Sequence, residues 1–416
     1  MSVRESAPVK ESPLAHEKLA VAFSGGLDTS WLVARFAEEG KEVTAISVNC
    51  GAWDDAGLVE LGDHARKLGA VEHAAIEGRD ALFDDHLRWL IRGNVLRGQT
   101  YPLCVGVERV VQARLFAHAA SDRGIRTLVH GSTGAGNDQI RFDTALRTVA
   151  PEASVLAPIR DEAKSREETS AWLAERGLGP MQKDAAVSIN TGIWGTTAGG
   201  RETHDAWLAP TEASFTTTTR PLDAPADGVD VVIRFADGLP VAIDGEEIAG
   251  WRAIQRLADL GSAHGIGRGV HLGDTILGIK GRVAFEAPAA YIVLPAHREL
   301  EKLVLTNQQR FWKDHLGDLY GQLTHEARFH DPLARDIEAF FASSQVRVTG
   351  EARVTLRQGT VMVTGIRSPW SIMDVQRTAY GESTSLWTGE EARGYAKIHG
   401  TTQWLAAQAA LRAASK

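Results

Sequence analysis

Residues 19–24 read LAVAFS, an apolar run of strand length; SGGLD follows at once, and TSWLVARFAEEG then continues with the helical spacing of Leu32, Val33 and Phe36. Strand, glycine loop and helix start in that order restrict what the chain can fold into more than any other stretch. Gly25 and Gly26 let backbone N–H groups approach a polyphosphate closely. The hydroxyls of Ser24, Thr29 and Ser30 can donate to its oxygens, and a helix N-terminus favours its negative charge. Asp28 could hold the magnesium that accompanies such a ligand. The same letters would also serve a tight turn with Asp28 as a helix cap.

The pattern recurs. A strand is expected at residues 43–49, a helix at 58–68, a short apolar segment at 74–76, helices around 81–91 and 107–122, and the strand TLVHG, which opens a second glycine-rich turn, STGAGND. Such alternation predicts an α/β fold with a parallel, helix-covered sheet. Beyond about residue 177 the texture changes to NTGIWGTTAGG and then to a loop-like segment at 209–228, so a domain boundary is placed there. After it, VDVVIRF and LPVAIDG suggest a hairpin, residues 251–263 a helix, and residues 345–366 paired strands with alternating Val346, Val348, Val354 and Leu356. That second domain reads as α+β. Residues 390–414 have helical character with apolar Tyr395, Ile398, Trp404, Leu405 and Leu411, interrupted by Gly400. The expected division is a tail at 1–17, a nucleotide domain at 18–178, a second domain at 179–388 and a C-terminal helical oligomerisation arm at 389–416.

A chain of 416 residues is long enough for two domains or more, and its net charge of -8 argues against nucleic acid or anionic lipid as a partner. No apolar run approaches the ~18 residues needed to span a bilayer, and the polar, proline-bearing start to about residue 16 lacks a signal-peptide core, so a cytoplasmic protein is expected. The two cysteines, Cys50 and Cys104, form no CxxC and read as small buried side chains. The 14 histidines show no ligand spacing, which leaves a transition-metal site without support.

The second glycine turn, His130 to Phe142, combines Gly131, Gly134 and Gly136 with Asn137, Asp138 and Arg141. An amide, a carboxylate and a guanidinium in one loop suit the ammonium and carboxylate of an amino acid. Alone, the segment could equally be a turn into a helix capped by Asn137 or Asp138.

The first loop resembles the pyrophosphate loop, SGGxD[ST]S, of the ATP pyrophosphatases. The Walker lysine pattern is absent, so the resemblance implies adenylation with pyrophosphate release rather than kinase chemistry. Taken together, the two loops resemble the argininosuccinate synthetase family, which pairs AxSGGLDTS with HGxTGxGNDQxRF. YPL at 101–103 with Arg109, SINTGIW at 188–194, HGIGR and KGRVAFEAP follow in the family's order. The resemblance implies an adenine nucleotide alpha hydrolase-like sheet that binds ATP through Ala22, Phe23, Ser24, Gly25, Gly26, Leu27, Asp28, Thr29, Ser30, Val48, His130 and Gly131. It implies aspartate at Thr133, Asn137 and Asp138, and citrulline at Tyr101, Arg109, Asn137, Arg141, Ser188 and Thr197. Asp28, Asp138 and Arg141 would be catalytic, with Mg2+ held by Asp28 through ATP. A homotetramer acting in arginine biosynthesis is implied as well. Read without the family, Tyr101 could be a core-edge aromatic, Ser188 a helix cap and Arg109 part of a solvated helix face.

Several positions depart from the commoner pattern, as in a divergent bacterial branch. Val105 and Gly106 stand where threonine and serine are usual, Gly273 replaces a glutamate expected to face the citrulline amine, and Phe285 replaces a tyrosine. Asp274 could stand in for that glutamate, although adjacent strand residues point to opposite faces. The departures leave the adenylating loop intact. They also keep open a ligase of the same fold acting on a different or acylated ureido or carboxyl substrate.

Overall fold

The computed structural model describes residues 17–181, 188–373 and 386–415, so all but the last residue of the expected N-terminal tail lies outside the described residues. Five strands, β1 (Lys18–Ala22), β2 (Glu42–Asn49), β3 (Glu72–Glu77), β4 (Thr127–Val129) and β5 (Ser154–Leu156), form a parallel sheet in the order β3-β2-β1-β4-β5. Side-chain alternation splits the apolar residues between two cores. Ala20, Ile46 and Val48 pack with Val110 and Phe116 on one face, and Leu19, Val21, Val43 and Ala45 with Leu32, Leu61 and Leu173 on the other. Helices therefore cover both faces, as the near-continuous burial of β2 requires. Strand order runs outward in opposite directions from β1 and β4, and the crevice beyond the carboxyl ends of these two strands is where open α/β sheets hold ligands. The expected helix at 81–91 is a composite: Arg79–Leu82, a π turn at Phe83–Leu87, then Arg88–Arg92.

The remainder of the chain builds two antiparallel sheets. Strands β6 (Ser188–Gly192), β7 (Gly195–Gly199), β11 (Arg268–Asp274) and β12 (Lys280–Glu286) run in the order β11-β12-β7-β6. Strands β8 (Val229–Ala236), β9 (Leu239–Ile243), β10 (Glu246–Glu247), β13 (Gly350–Arg357) and β14 (Thr360–Arg367) run in the order β10-β9-β8-β13-β14. The hairpin expected from VDVVIRF and LPVAIDG is β8–β9, and the expected helix is Trp251–Ala263. The paired strands expected over 345–366 need correction. Gln345 ends the helix Pro332–Gln345, its carbonyl accepts from Val348 N at 2.8 Å in a turn, and Val346 is 57% exposed, so the strands begin only at Gly350. Two further helices passed over by periodicity, Pro288–Val304 and Asn307–His325, precede it.

These helices carry a buried polar network. His297 Nδ1 meets Asn94 Oδ1 at 2.7 Å and its Nε2 meets Gln345 Oε1 at 2.7 Å. Glu301 accepts from Asn94 Nδ2 and Gln345 Nε2, each at 2.6 Å, and pairs with Lys313 at 3.0 Å; Lys313 in turn donates to the Arg92 carbonyl at 3.1 Å. Each of these polar groups has a partner, the condition under which such a network rigidifies a core rather than weakening it.

The C-terminal arm is two helices, Gly389–His399 and Thr401–Ala414, broken at Gly400 as expected, and none of their residues is buried. Tyr395, Ile398, Trp404, Leu405 and Leu411 are each 50 to 75% exposed, so this apolar surface is not covered by the described residues of its own chain.

Candidate functional site

The loop after β1 is built for close approach. Gly25 has φ +73°, and a Cβ there would sit 2.8 Å from both Leu61 Cδ1 and Met181 Sδ, so only glycine fits without displacing them. The helix Leu27–Glu38 starts at Gly26 in extended conformation, with no side chain accepting from its first N–H groups. Those donors stay open to an anion. Ser24 Oγ and Thr29 Oγ1 lie 3.2 Å apart beside them. Ser30 points inward instead, bonding the Gly25 carbonyl at 3.3 Å and His64 Nε2 at 3.0 Å, so its hydroxyl braces the loop.

Asp28 is not the cap. It lies in the first helical turn, half-buried, and among the described residues its carboxylate accepts no hydrogen bond. Burial raises its pKa, and Arg166 only partly opposes this. Around the loop, Phe23 and Val48 are buried, Phe23 N donates to Ile46 O at 2.8 Å, and Ala22 and Leu27 flank the turn half-buried. Val48 Cγ1 lies 2.9 Å from where a Cβ on Gly78 would be, forming a close wall at the end of β2.

The loop after β4 meets the first loop directly. A Cβ on Gly131 would stand 3.1 Å from Thr29 Cγ2 and 3.3 Å from Asp28 Cβ, so the two motifs share one crevice. His130 is buried and structural: its Nε2 donates to Asp143 at 2.9 Å, its Nδ1 accepts from Ser132 N at 3.4 Å, and its ring stacks on Phe142. Thr133 is exposed in the loop. Asn137 occupies the cap position of the helix Asp138–Val149 without capping it; its Oδ1 accepts from Ile276 N at 2.8 Å, across the β11–β12 hairpin.

Asp138 lies between two guanidinium groups, accepting from Arg109 Nε at 2.9 Å and Arg141 Nη1 at 3.0 Å. Burial would raise its pKa, but the two cations prevail and hold the carboxyl at about 2. Arg109 also donates to Gln112 and to Asn190 Oδ1, at 3.0 and 2.8 Å, so it is not a solvated helix residue. Arg141 donates to the His325 carbonyl at 3.2 Å, and Gly106 lies beneath it, where a Cβ would come within 3.3 Å of Nη2. Next to this triad the sequence reading overlooked Glu108. It is 1% exposed, neither carboxyl oxygen has a hydrogen-bond partner among the described residues, and its pKa is pushed up to about 8 by burial, with Arg109 lowering it and Asp138 raising it further. The one available signal was an acid beside Arg109 inside the otherwise apolar VGVERVV.

Tyr101 is largely buried, its hydroxyl donates to the Cys104 carbonyl at 2.8 Å, and its ring stacks on His271 with centroids 5.1 Å apart and tilts against Phe285 at 5.3 Å. Phe285 pairs with Thr197, Thr197 with Asn190, and Asn190 holds Arg109, so most of the expected citrulline set forms one connected wall. Ser188 sits at the exposed start of β6 rather than on a helix cap, with no described side-chain contact to that wall. Asp274 does not stand in for a glutamate at 273, because its carboxylate pairs with Lys280 at 2.6 Å. Both cysteines are free and buried, their thiol pKa values raised chiefly by burial. Among the described residues, no three His, Cys, Asp or Glu side chains gather to hold a metal on their own.

A parallel sheet with two glycine loops meeting at its switch point, one of them an uncapped helix N-terminus, defines a nucleotide-binding α/β protein. The comparisons narrow the class. Residues 18–179 match the model described as arginosuccinate synthase N-terminal HUP domain, and residues 187–406 match the arginosuccinate synthase C-terminal domain. The chain is similar to proteins named argininosuccinate synthase from Xanthomonas campestris pv. campestris (36% identical, covering 95% of this chain and 99% of the relative) and Xylella fastidiosa (35%; 94% and 98%). A third, from Methanocaldococcus jannaschii, is 33% identical over 92% of this chain and 96% of its own. The chain belongs to the argininosuccinate synthase family.

Proposed function

We propose that the chain joins citrulline to aspartate at the expense of ATP, giving argininosuccinate, AMP and diphosphate, as a step of arginine biosynthesis. The observation that carries this reading is the contact of Gly131 with Asp28 and Thr29, which joins the polyphosphate loop to the loop that leads into the Asp138 helix. In the first half-reaction the ureido oxygen attacks the α-phosphorus, the bond to diphosphate breaks, and citrullyl-adenylate forms. In the second, the amine of aspartate attacks the ureido carbon, AMP leaves, and the amine gives up a proton.

The open N–H groups at residues 27–29 with Ser24 and Thr29 bind the polyphosphate. Asp28 suits Mg2+, because a half-buried carboxylate without a hydrogen bond is relieved by a cation, which when bound neutralises phosphate charge. Thr133, Asn137 and Asp138 receive aspartate. Tyr101, Arg109, Asn137, Arg141, Ser188 and Thr197 surround citrulline, with Asp138 fixing both guanidinium groups in place. Positioning of this kind can supply ~7 to 11 kcal/mol of the barrier reduction.

Diphosphate release from ATP with citrulline and aspartate, together with mass-spectrometric detection of argininosuccinate, tests the reading; a protein that binds ATP yet releases nothing would refute it. The unpaired apolar face of the arm fits a homotetramer, so deletion of residues 389–416 is expected to lower the mass measured by light scattering from four chains to fewer. No helix among the described residues is long and apolar enough to cross a membrane, and a cytoplasmic site of action fits these substrates.

A further inference from the structure

Beside the Asp138 triad lies a cleft of about 410 Å³ lined by Arg97, Gln99, Asp274, Asp318, His325 and Glu326, among others. Two hydrogen bonds tie its wall to the candidate site: Arg141 bonds the carbonyl of His325, and Asn137 holds Ile276, another of its lining residues. The acids in it are already engaged. Asp274 pairs with Lys280, Asp318 accepts from Gln99 at 3.1 Å, and Glu326 accepts from Gln322 at 3.1 Å.

The donors are not all engaged. Arg97 spends Nη2 on the Asp274 carbonyl at 2.6 Å, and among the described residues no hydrogen bond is made by its Nη1, which faces the empty Cβ position of Gly273 at 3.2 Å. His325 is 6% exposed, and its Nδ1 lies 3.2 Å from Arg141 Nη2. A guanidinium has only donors, so Nδ1 must accept and the ring proton must sit on Nε2. That Nε2 is buried, and its one neighbouring acceptor is the Asp274 carbonyl, which it shares with Arg97. Burial, with Arg141 and Arg97 nearby, keeps the ring neutral, its pKa lowered to about 3. His271, with a second unpartnered buried Nε2, lies 2.5 Å from the same Gly273 Cβ position. A side chain at 273 would therefore have to displace His271. What remains among the described residues is a guanidinium N–H without an acceptor and, beside it, a buried imidazole N–H that has only a shared carbonyl.

We infer that Arg97 and His325 hold the α-carboxylate of the ureido amino acid. This assignment rests on the citrulline reading of the adjacent site and names residues that the family motifs do not. It also explains how Val105 and Gly106 dispense with hydroxyl donors: one charged and one neutral N–H donor take their place.

The test is equilibrium binding of citrulline and of its decarboxylated analogue, 4-ureidobutylamine, to the full chain with a non-hydrolysable ATP analogue present. Loss of a charge-assisted hydrogen bond predicts that Arg97→Met weakens citrulline about 10- to 100-fold, leaves ureidobutylamine within about threefold, and that Arg97→Lys recovers part of the loss. Unchanged affinity for the ATP analogue shows that the variant is folded. Equal weakening of both ligands, or of neither, overturns the assignment, as does a wild-type protein that fails to prefer citrulline. Preference for citrulline without diphosphate release would refute the activity while sustaining the carboxylate site.

Discussion

Asp28→Asn is expected to cut citrulline- and aspartate-dependent diphosphate release by a factor of about 10² to 10³ or more, the scale of losing one preorganised electrostatic contact to a transition state. Asparagine keeps the size of the side chain but not its charge. The structural cost is small, because the carboxylate accepts no hydrogen bond among the described residues. The sign of the stability change separates this role from a structural one. Burial raises the pKa of Asp28, so ionising it opposes folding, and that penalty grows as pH rises through the folded value. The variant should therefore melt at or above the wild-type temperature at neutral pH while losing turnover. Full turnover, or a clear drop in melting temperature, would remove Asp28 from the cation role.

Asp138→Asn should damage both activity and stability. It leaves Arg109 and Arg141, whose side chains are 13% and 9% exposed, facing each other without the carboxylate between them. Breaking a fully buried pair costs ~3 to 5 kcal/mol; the side chain of Asp138 is 37% exposed, which reduces the expected loss to about 2 kcal/mol. The pH dependence carries a sign. The folded carboxyl titrates at about 2 against an ordinary 3.8, so its stabilisation is complete above the ordinary value and disappears as pH falls toward the folded one. Melting curves of wild type and variant should thus differ most at neutral pH and converge between about pH 4 and 2. Turnover of the variant should fall by about 10² or more, as both guanidinium groups lose their orientation.

Much of the first sheet could be read from the chain because local signals agreed there. Apolar runs of strand length, glycines at the loop and helical spacing after it all pointed to one arrangement, and β1, β2 and the Leu27–Glu38 helix lie where they were expected within a few residues. The second unit was less legible. Val346 and Val348 alternate like a strand, yet the long-range bond from Gln345 to Glu301 places their neighbourhood at a helix end, and no local pattern encodes that contact. The motif residues were visible, but their division of labour was not. Ser30 and His130 face inward to brace the loops, a matter of side-chain direction that spacing does not report. Glu108 and Arg97 stayed hidden because they matter through groups left without partners among the described residues, and that shows only in three dimensions.

The polar network around Glu301 bears on how such a chain can be divided by recombination. Arg92 and Asn94 stand within the stretch that carries the nucleotide sheet, yet their polar groups are satisfied by Lys313, His297 and Glu301 from more than two hundred residues later. Cut at residue 180, the first segment would expose an amide and a carbonyl shaped for ions it no longer has, and the second would bury a lysine and a glutamate short of their remaining partners. The two family segments are separable as sequence patterns but not as heritable modules: an exchange of one for a foreign counterpart would succeed only if the donor brought matching groups for the other side of that network.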